Sequence, residues 1–247
     1  MIQFTRIASS MSPTGRLNLL SRLSSAVLIS YIGLATPSYG SERIRWTPDP
    51  ERGSVSSTLS GGRRGQEDVG CDTADSTTRL APIVPGDRAN LFTTLANPTL
   101  AWNVSTVAPV SMTFHFSDPA VATPLYTQTV SVEKSTTISV TVPNEHSLEL
   151  GKKYRWTVFV SCPDHIQTEI SARSFIERVD RESLSIDSLS SLEQARIYAR
   201  QGIWYDAVAA LLAAGSQGEN DAEIMVKTLL EQGNNPADIN LAAVVQL

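Results

Sequence analysis

Apolar and polar positions alternate along the middle of the chain and change to a helical rhythm towards its end. The clearest alternation is residues 110–116, where Val110, Met112, Phe114 and Phe116 interleave with Ser111, Thr113 and His115. A strand with one buried face requires that period, and it turns His115 towards solvent or the far face. Residues 126–132 behave alike, with Tyr126, Gln128, Val130 and Val132 on one side. So do 137–142, with Ile138, Val140 and Val142, and 154–161, with Tyr154, Trp156, Val158 and Val160. Turn chemistry separates these runs at Asp118-Pro119, at Glu133-Lys134-Ser135 and between Pro143 and Gly151. Further strands are predicted at 78–84, 91–96, 100–106 and 168–179.

About eight short strands rich in Thr, Val and Ser, at roughly ten-residue spacing and with no helix between them, predict an antiparallel, immunoglobulin-like β-sandwich. Trp156 lies on the apolar face and reads as core packing rather than as a platform for a ligand.

The rhythm turns helical after Asp180. Ser190 and Glu193 have the spacing of a capping box, and the helix they open is predicted to stop at Gly202. A second helix is expected from Trp204 to Ala214, ending at Gly215. A third follows Asn220 and ends at Gly233, and Asn235-Pro236 opens a short fourth. Ala195, Tyr198, Gly202, Tyr205, Ala207, Leu211 and Ala214 have spacing similar to one tetratricopeptide unit, although the Trp-Leu-Gly start of that motif is absent. The expectation is a small helical hairpin or bundle leaning on the sheet. The fold class is therefore mainly β with a C-terminal α segment.

The start of the chain has another character. Arg6, Arg16 and Arg22 precede an apolar run over 23–35, followed by Pro37, Ser38 and Gly40. A basic segment, a short apolar segment and small residues before a cut after Gly40 make a secretory signal peptide. A cut after Ala35 is the second choice, and an uncleaved anchor is the competing reading. The run is short for a membrane span, and the mature chain holds no transmembrane segment. Residues 41–70 are dominated by Gly, Ser, Pro and Arg around a single aromatic, Trp46. They read as a flexible linker, with an interaction segment centred on Trp46 as the alternative. The predicted organisation is signal peptide 1–40, linker 41–70, β-sandwich 71–180 and helical segment 186–247.

Charge narrows the partners. Losing residues 1–40 removes three of the 20 basic residues and none of the 25 acidic ones, so the net charge moves from -5 to -8. Nucleic acid is a poor partner for such a chain, since a phosphate-tracking surface needs clustered Lys and Arg. Two cysteines remain, Cys71 and Cys162. In an oxidising compartment they most simply pair, closing a loop whose restriction contributes about 4 to 5 kcal/mol. The competing reading is a metal site in which Cys162, Asp164 and His165 join Cys71 and Asp72.

Specific strings then carry a resemblance. Leu148 to Trp156 (LELGKKYRW), Val160-Ser161-Cys162, Ile176 to Val179 (IERV) and Tyr198 to Ala207 (YARQGIWYDA) resemble a cyanobacterial family known as domain of unknown function 928. The GGRRG lead before Cys71 and the run LAPIVP over 80–85 are similar to that family too, and the likeness spans roughly residues 61–243. It implies a cyanobacterial, exported protein. It implies no activity, cofactor, substrate or catalytic residue, and a closing Cys found in some members is missing here.

No Gly-x-Ser-x-Gly elbow, phosphate loop, dinucleotide fingerprint or His-Glu-x-x-His motif is present. The expectation is an exported, non-catalytic binding or assembly module, periplasmic or secreted, without a cofactor and with a protein partner in the cell envelope. The candidate partner-binding residues are Arg200, Trp204 and Tyr205, where aromatics cluster at a helix junction, and packing is the stronger reading for Trp204. The alternative is an envelope hydrolase acting on polysaccharide or peptide, with acids or His165 at one end of the sandwich. A sensory input partner for a membrane signalling protein is a third reading.

Overall fold

A computed structural model describes residues 43–48, 78–86, 91–161, 169–180, 186–237, 239–241 and 244–247. Eight strands stand where the period of two places them: β1 (Arg79–Pro82), β2 (Phe92–Thr93), β3 (Thr99–Ser105), β4 (Val110–Ser117), β5 (Tyr126–Val132), β6 (Thr136–Thr141), β7 (Lys153–Ser161) and β8 (Glu169–Arg178). Three helices follow, α1 (Ser191–Arg200), α2 (Trp204–Ser216) and α3 (Asp221–Gln232), and then a ninth strand, β9 (Val244–Gln246). The strands form a four-stranded sheet in the order β1-β3-β6-β9 and a five-stranded sheet in the order β2-β8-β7-β4-β5.

Alternation explains how the sheets meet. In the four-stranded sheet Trp102 pairs with Ile138 and with Pro82, and Leu100 pairs with Val140, so these side chains share one face. In the five-stranded sheet Phe114 pairs with Val158 and Phe116 with Trp156. The two faces are joined by aromatics: Trp102 stacks on Phe114 at 5.7 Å between ring centroids and lies 6.3 Å from Trp156. Trp102 Nε1–H also points at Met112 Sδ, 3.3 Å away. Trp102, Phe114 and Trp156 are fully buried, and each large aromatic of this kind removes about 150–250 Å² from water.

Two pairings depart from the antiparallel expectation. β2 runs parallel to β8 and β9 runs parallel to β6, both at sheet margins. Each is two or three residues long, and each is brought to its partner by a distant part of the chain rather than by a hairpin.

The helices follow their local signals with two exceptions. The capping box is formed: Ser190 Oγ accepts from Glu193 N–H, and the Glu193 carboxylate accepts from Ser190 N–H at 3.1 Å. Donation from the Ser190 hydroxyl at 2.7 Å, and then from the Ser190 N–H, holds the Glu193 carboxyl below its usual range. Gly202 ends this helix with φ of 74°, a left-handed conformation that suits glycine. α2 does not stop at Gly215 but continues to Ser216, and Gly218, at φ 86°, stands past its end. Gly215 serves close approach instead, since a Cβ there would lie 3.1 Å from Leu241 Cβ. The expected fourth helix after Pro236 is absent among the described residues. Asn235 is held by the strand instead, its side-chain amide donating to Val84 O at 2.7 Å, and the chain runs on to β9.

Part of the expected linker is docked. In residues 43–48, Ile44 is buried and Trp46 packs edge-on to Trp204. The other residues of 41–70, together with Cys71 and Cys162, lie outside the described residues, as do Asp72, Asp164 and His165.

Candidate functional site

The helix junction that the sequence singled out is a structural joint. Trp204 is 0% exposed and Tyr205 2% exposed, so both are core residues, while Arg200 lies on the surface. Trp204 Nε1–H donates to Ile83 O at 2.9 Å, satisfying a carbonyl just beyond β1. Tyr205 enters the space between layers. Its Oη accepts from Trp156 Nε1–H at 2.8 Å and lies 2.9 Å from Phe175 O and 3.2 Å from Ser174 Oγ. Burial pushes the Tyr205 phenol well above its ordinary range against the opposing effect of Ser174 and Trp156, so it stays a neutral hydrogen-bonding group. Asp206, the third helical residue of α2, accepts from Thr94 N–H at 2.9 Å and from the Thr93 and Thr94 hydroxyls. A carboxylate in the first turn also lies at the positive end of the helix dipole. The Trp-Tyr-Asp triplet thus fastens α2 to β1, to the inner face of β7 and β8, and to β2.

A concave surface among the described residues lies elsewhere, on the outer face of the four-stranded sheet. A groove of about 720 Å³ has its floor on β1 and β3, where Arg79 pairs with Ser105 and Ala81 with Asn103. Its far wall is α3, through Glu223 and Lys227, and Pro236, Ala237 and Asn240 close one side. Beside it, Ala101, Thr137 and Ser139 share the outer face of the sheet and are buried. Thr137 Oγ1–H donates to Asn240 O at 3.1 Å, holding the chain that returns after α3 on the sheet.

Charge in the groove is ordered by Glu223. Its Oε1 pairs with Lys227 Nζ at 2.9 Å, four residues on, and its Oε2 accepts from Leu241 N–H at 3.1 Å. The Lys227 hydrogen bond comes first and the Leu241 N–H second in holding the Glu223 carboxyl below its usual range. With Arg79 and Lys227 against Glu223, the groove carries one net positive charge in a chain whose total is -5. The groove thus presents hydroxyl, amide and cationic groups, the chemistry that hydrogen-bonds oxygen-rich or anionic groups.

Sequence reasoning missed these residues. Arg79 and Lys227 belong to separate elements with no motif between them. The one readable sign was the run of small and polar residues opposite the core on β3 and β6, which marks an outer face that another element can approach.

The remaining histidines are surface features. His115 sits on the far face of β4 against Phe159, at 5.0 Å between rings, as its place in the alternation requires. His146 lies in the short turn Asn144–His146 near Tyr126. No helix among the described residues is long and apolar enough to cross a membrane.

These features define a mainly β protein of two sheets, bolted to a three-helix C-terminal segment, with a polar groove where the two parts meet. The family model for a domain of unknown function, DUF928, matches residues 59–237, and the chain belongs to that family. The match takes in β1 to α3 and the walls of the groove up to Ala237. No curated protein matches the sequence.

Proposed function

We propose that the protein is an exported, non-catalytic binding or assembly module of a cyanobacterial envelope, built on an immunoglobulin-like sandwich, and that it engages its partner through the groove between β1, β3 and α3. The groove itself carries this reading. Its two cations come from opposite walls, and Glu223 restrains one of them, so an acidic, hydrogen-bonding segment of an envelope protein would find its charge matched on both sides. In this reading residues 1–40 are removed during translocation, and Cys71 pairs with Cys162 outside the cytosol.

The hydrolase alternative draws no support from the groove. Glu223 is the sole carboxylate among its described lining residues, and it is held ionised, whereas a general acid needs its proton retained near neutral pH. The test is capture from native envelope fractions by the mature protein and by an Arg79→Ala, Lys227→Ala double variant of matched thermal stability. Loss of a specific co-purifying partner with the double variant is the expected result. Equal capture by both, or release of saccharide or peptide fragments on incubation with envelope material, would overturn the proposal. Recovery of the protein with Met1 attached, or with two reactive thiols under denaturing, non-reducing conditions, would overturn its export.

A further inference from the structure

The segment at residues 43–48 is held in a way that sets it apart from a packed loop. It crosses one pole of the helical part, where α1 and α3 end and α2 begins. Gln232, the last residue of α3, grips its backbone twice: the side-chain amide donates to Ile44 O at 2.9 Å, and Trp46 N–H donates to the Gln232 side-chain oxygen at 2.6 Å. These two backbone groups flank Arg45 on the same side of an extended chain, so the amide does what a neighbouring strand would do. Thr47 N–H then donates to Ala199 O at 3.1 Å, a carbonyl in the last turn of α1 that also accepts from Gly202 N–H at 3.2 Å. Ile44 is buried to 2% exposure, and Trp46 meets the Trp204 ring edge-on at 4.8 Å.

The chemistry matches at every level. Main-chain groups supply three hydrogen bonds, alternate side chains fill apolar positions, and Arg43 and Arg45 point outward beside the C-terminal ends of two helices, where the dipole favours positive charge. Main-chain pairing with pockets for alternate side chains is how extended peptides are recognised. The segment also lies outside residues 59–237, the part that matches the family, whereas Ala199, Trp204 and Gln232 lie inside it. The family match thus covers the residues that hold the segment and not the segment itself.

We propose that the pole formed by Ala199, Trp204 and Gln232 is a peptide-binding site for an extended segment of the pattern aliphatic-x-aromatic, filled here in cis by Ile44-Arg45-Trp46. The segment is a ligand on a tether, and a peptide supplied in trans takes its place once the tether is cut. In the intact chain the tether sets a high effective concentration, which a competing peptide must exceed.

The test keeps the full chain and lets it fold before anything is removed. A protease recognition sequence is introduced within residues 49–77 and cleaved in the folded protein, and a fluorescein-labelled peptide of residues 41–48 is added. Saturable binding of the labelled peptide, reversed by unlabelled peptide, is the expected result. A peptide carrying Trp46→Ala should bind about a hundredfold more weakly, and Gln232→Ala in the body should weaken the parent peptide about tenfold. Two outcomes overturn the proposal. In one, the clipped segment stays in place and never exchanges, which makes it a fixed part of the core. In the other, it departs and the labelled peptide fails to bind a body whose circular dichroism is unchanged.

Discussion

The inner and outer faces of the four-stranded sheet are made by alternate residues of the same strands, yet they do different work. On β3, Leu100, Trp102 and Val104 face the second sheet and are fully buried, whereas Ala101, Asn103 and Ser105 face outward. The inner face is closed by aromatic stacking and holds the molecule together. The outer face is closed only in part, by a returning chain that hydrogen-bonds to it, and the part left open is the groove. One strand thus supplies the intersheet core through its even residues and part of the groove floor through Asn103 and Ser105. Apolar contact favours complete burial, whereas polar side chains tolerate a solvent-filled gap.

The sharpest way to break that contrast is to truncate neighbours. Trp102→Ala removes the ring that joins the sheets and should cost about 3 to 5 kcal/mol in chemical denaturation. Asn103→Ala, one residue on, should cost about 1 kcal/mol or less. Similar losses at both would mean that the outer face is as structural as the inner one.

A smaller effect tests the joint between the layers. Tyr205→Phe deletes the hydroxyl that accepts from Trp156 Nε1–H, leaving a buried donor without that partner, and should cost about 1 to 3 kcal/mol. Since the phenol stays neutral, this loss should be the same at pH 5 and pH 8. A strongly pH-dependent difference between the wild type and Tyr205→Phe would contradict that assignment.

The smallest effect lies in the groove wall. The Glu223 carboxyl titrates lower in the folded protein than in the unfolded chain, so its stabilisation is complete above the unfolded value of about 4.3 and is lost as pH falls through the folded value. Glu223→Gln should therefore cost about 0.2 to 1 kcal/mol at neutral pH, as a partly exposed ion pair does. That difference should shrink towards zero at strongly acidic pH. A difference that grows on acidification would reverse the sign and remove the ion pair as its cause.

The strands were readable because burial of one face enforces a period of two, and that period survives in any local window. Val110 to Phe116 shows it, and β4 stands there. The capping box at Ser190 and Glu193 was readable for the same reason, since its partners are three residues apart. The failures have the opposite cause. Asn235-Pro236 is a sound helix start locally, but Asn235 is claimed by Pro82, the last residue of β1, and by Val84 just beyond it. Gly215 looks like a helix end, yet it is small so that Leu241 can approach. Trp204 and Tyr205 could be read as packing or as a partner surface, because nothing nearby in sequence reveals that Ile83, Trp156 and Ser174 await them.

The sequence by itself determined the two rhythms, eight of the strands, the three helices and which residues of a strand share a face. Those depend on side-chain spacing along a single element. Tertiary structure alone decided that β9 joins β6 in parallel, that Ile44 and Trp46 dock on the helix ends, and that Arg79 and Lys227 face one groove. Each of those joins residues far apart in the chain, and a hydrogen bond or ion pair across such a distance leaves no periodic trace in the residues that make it.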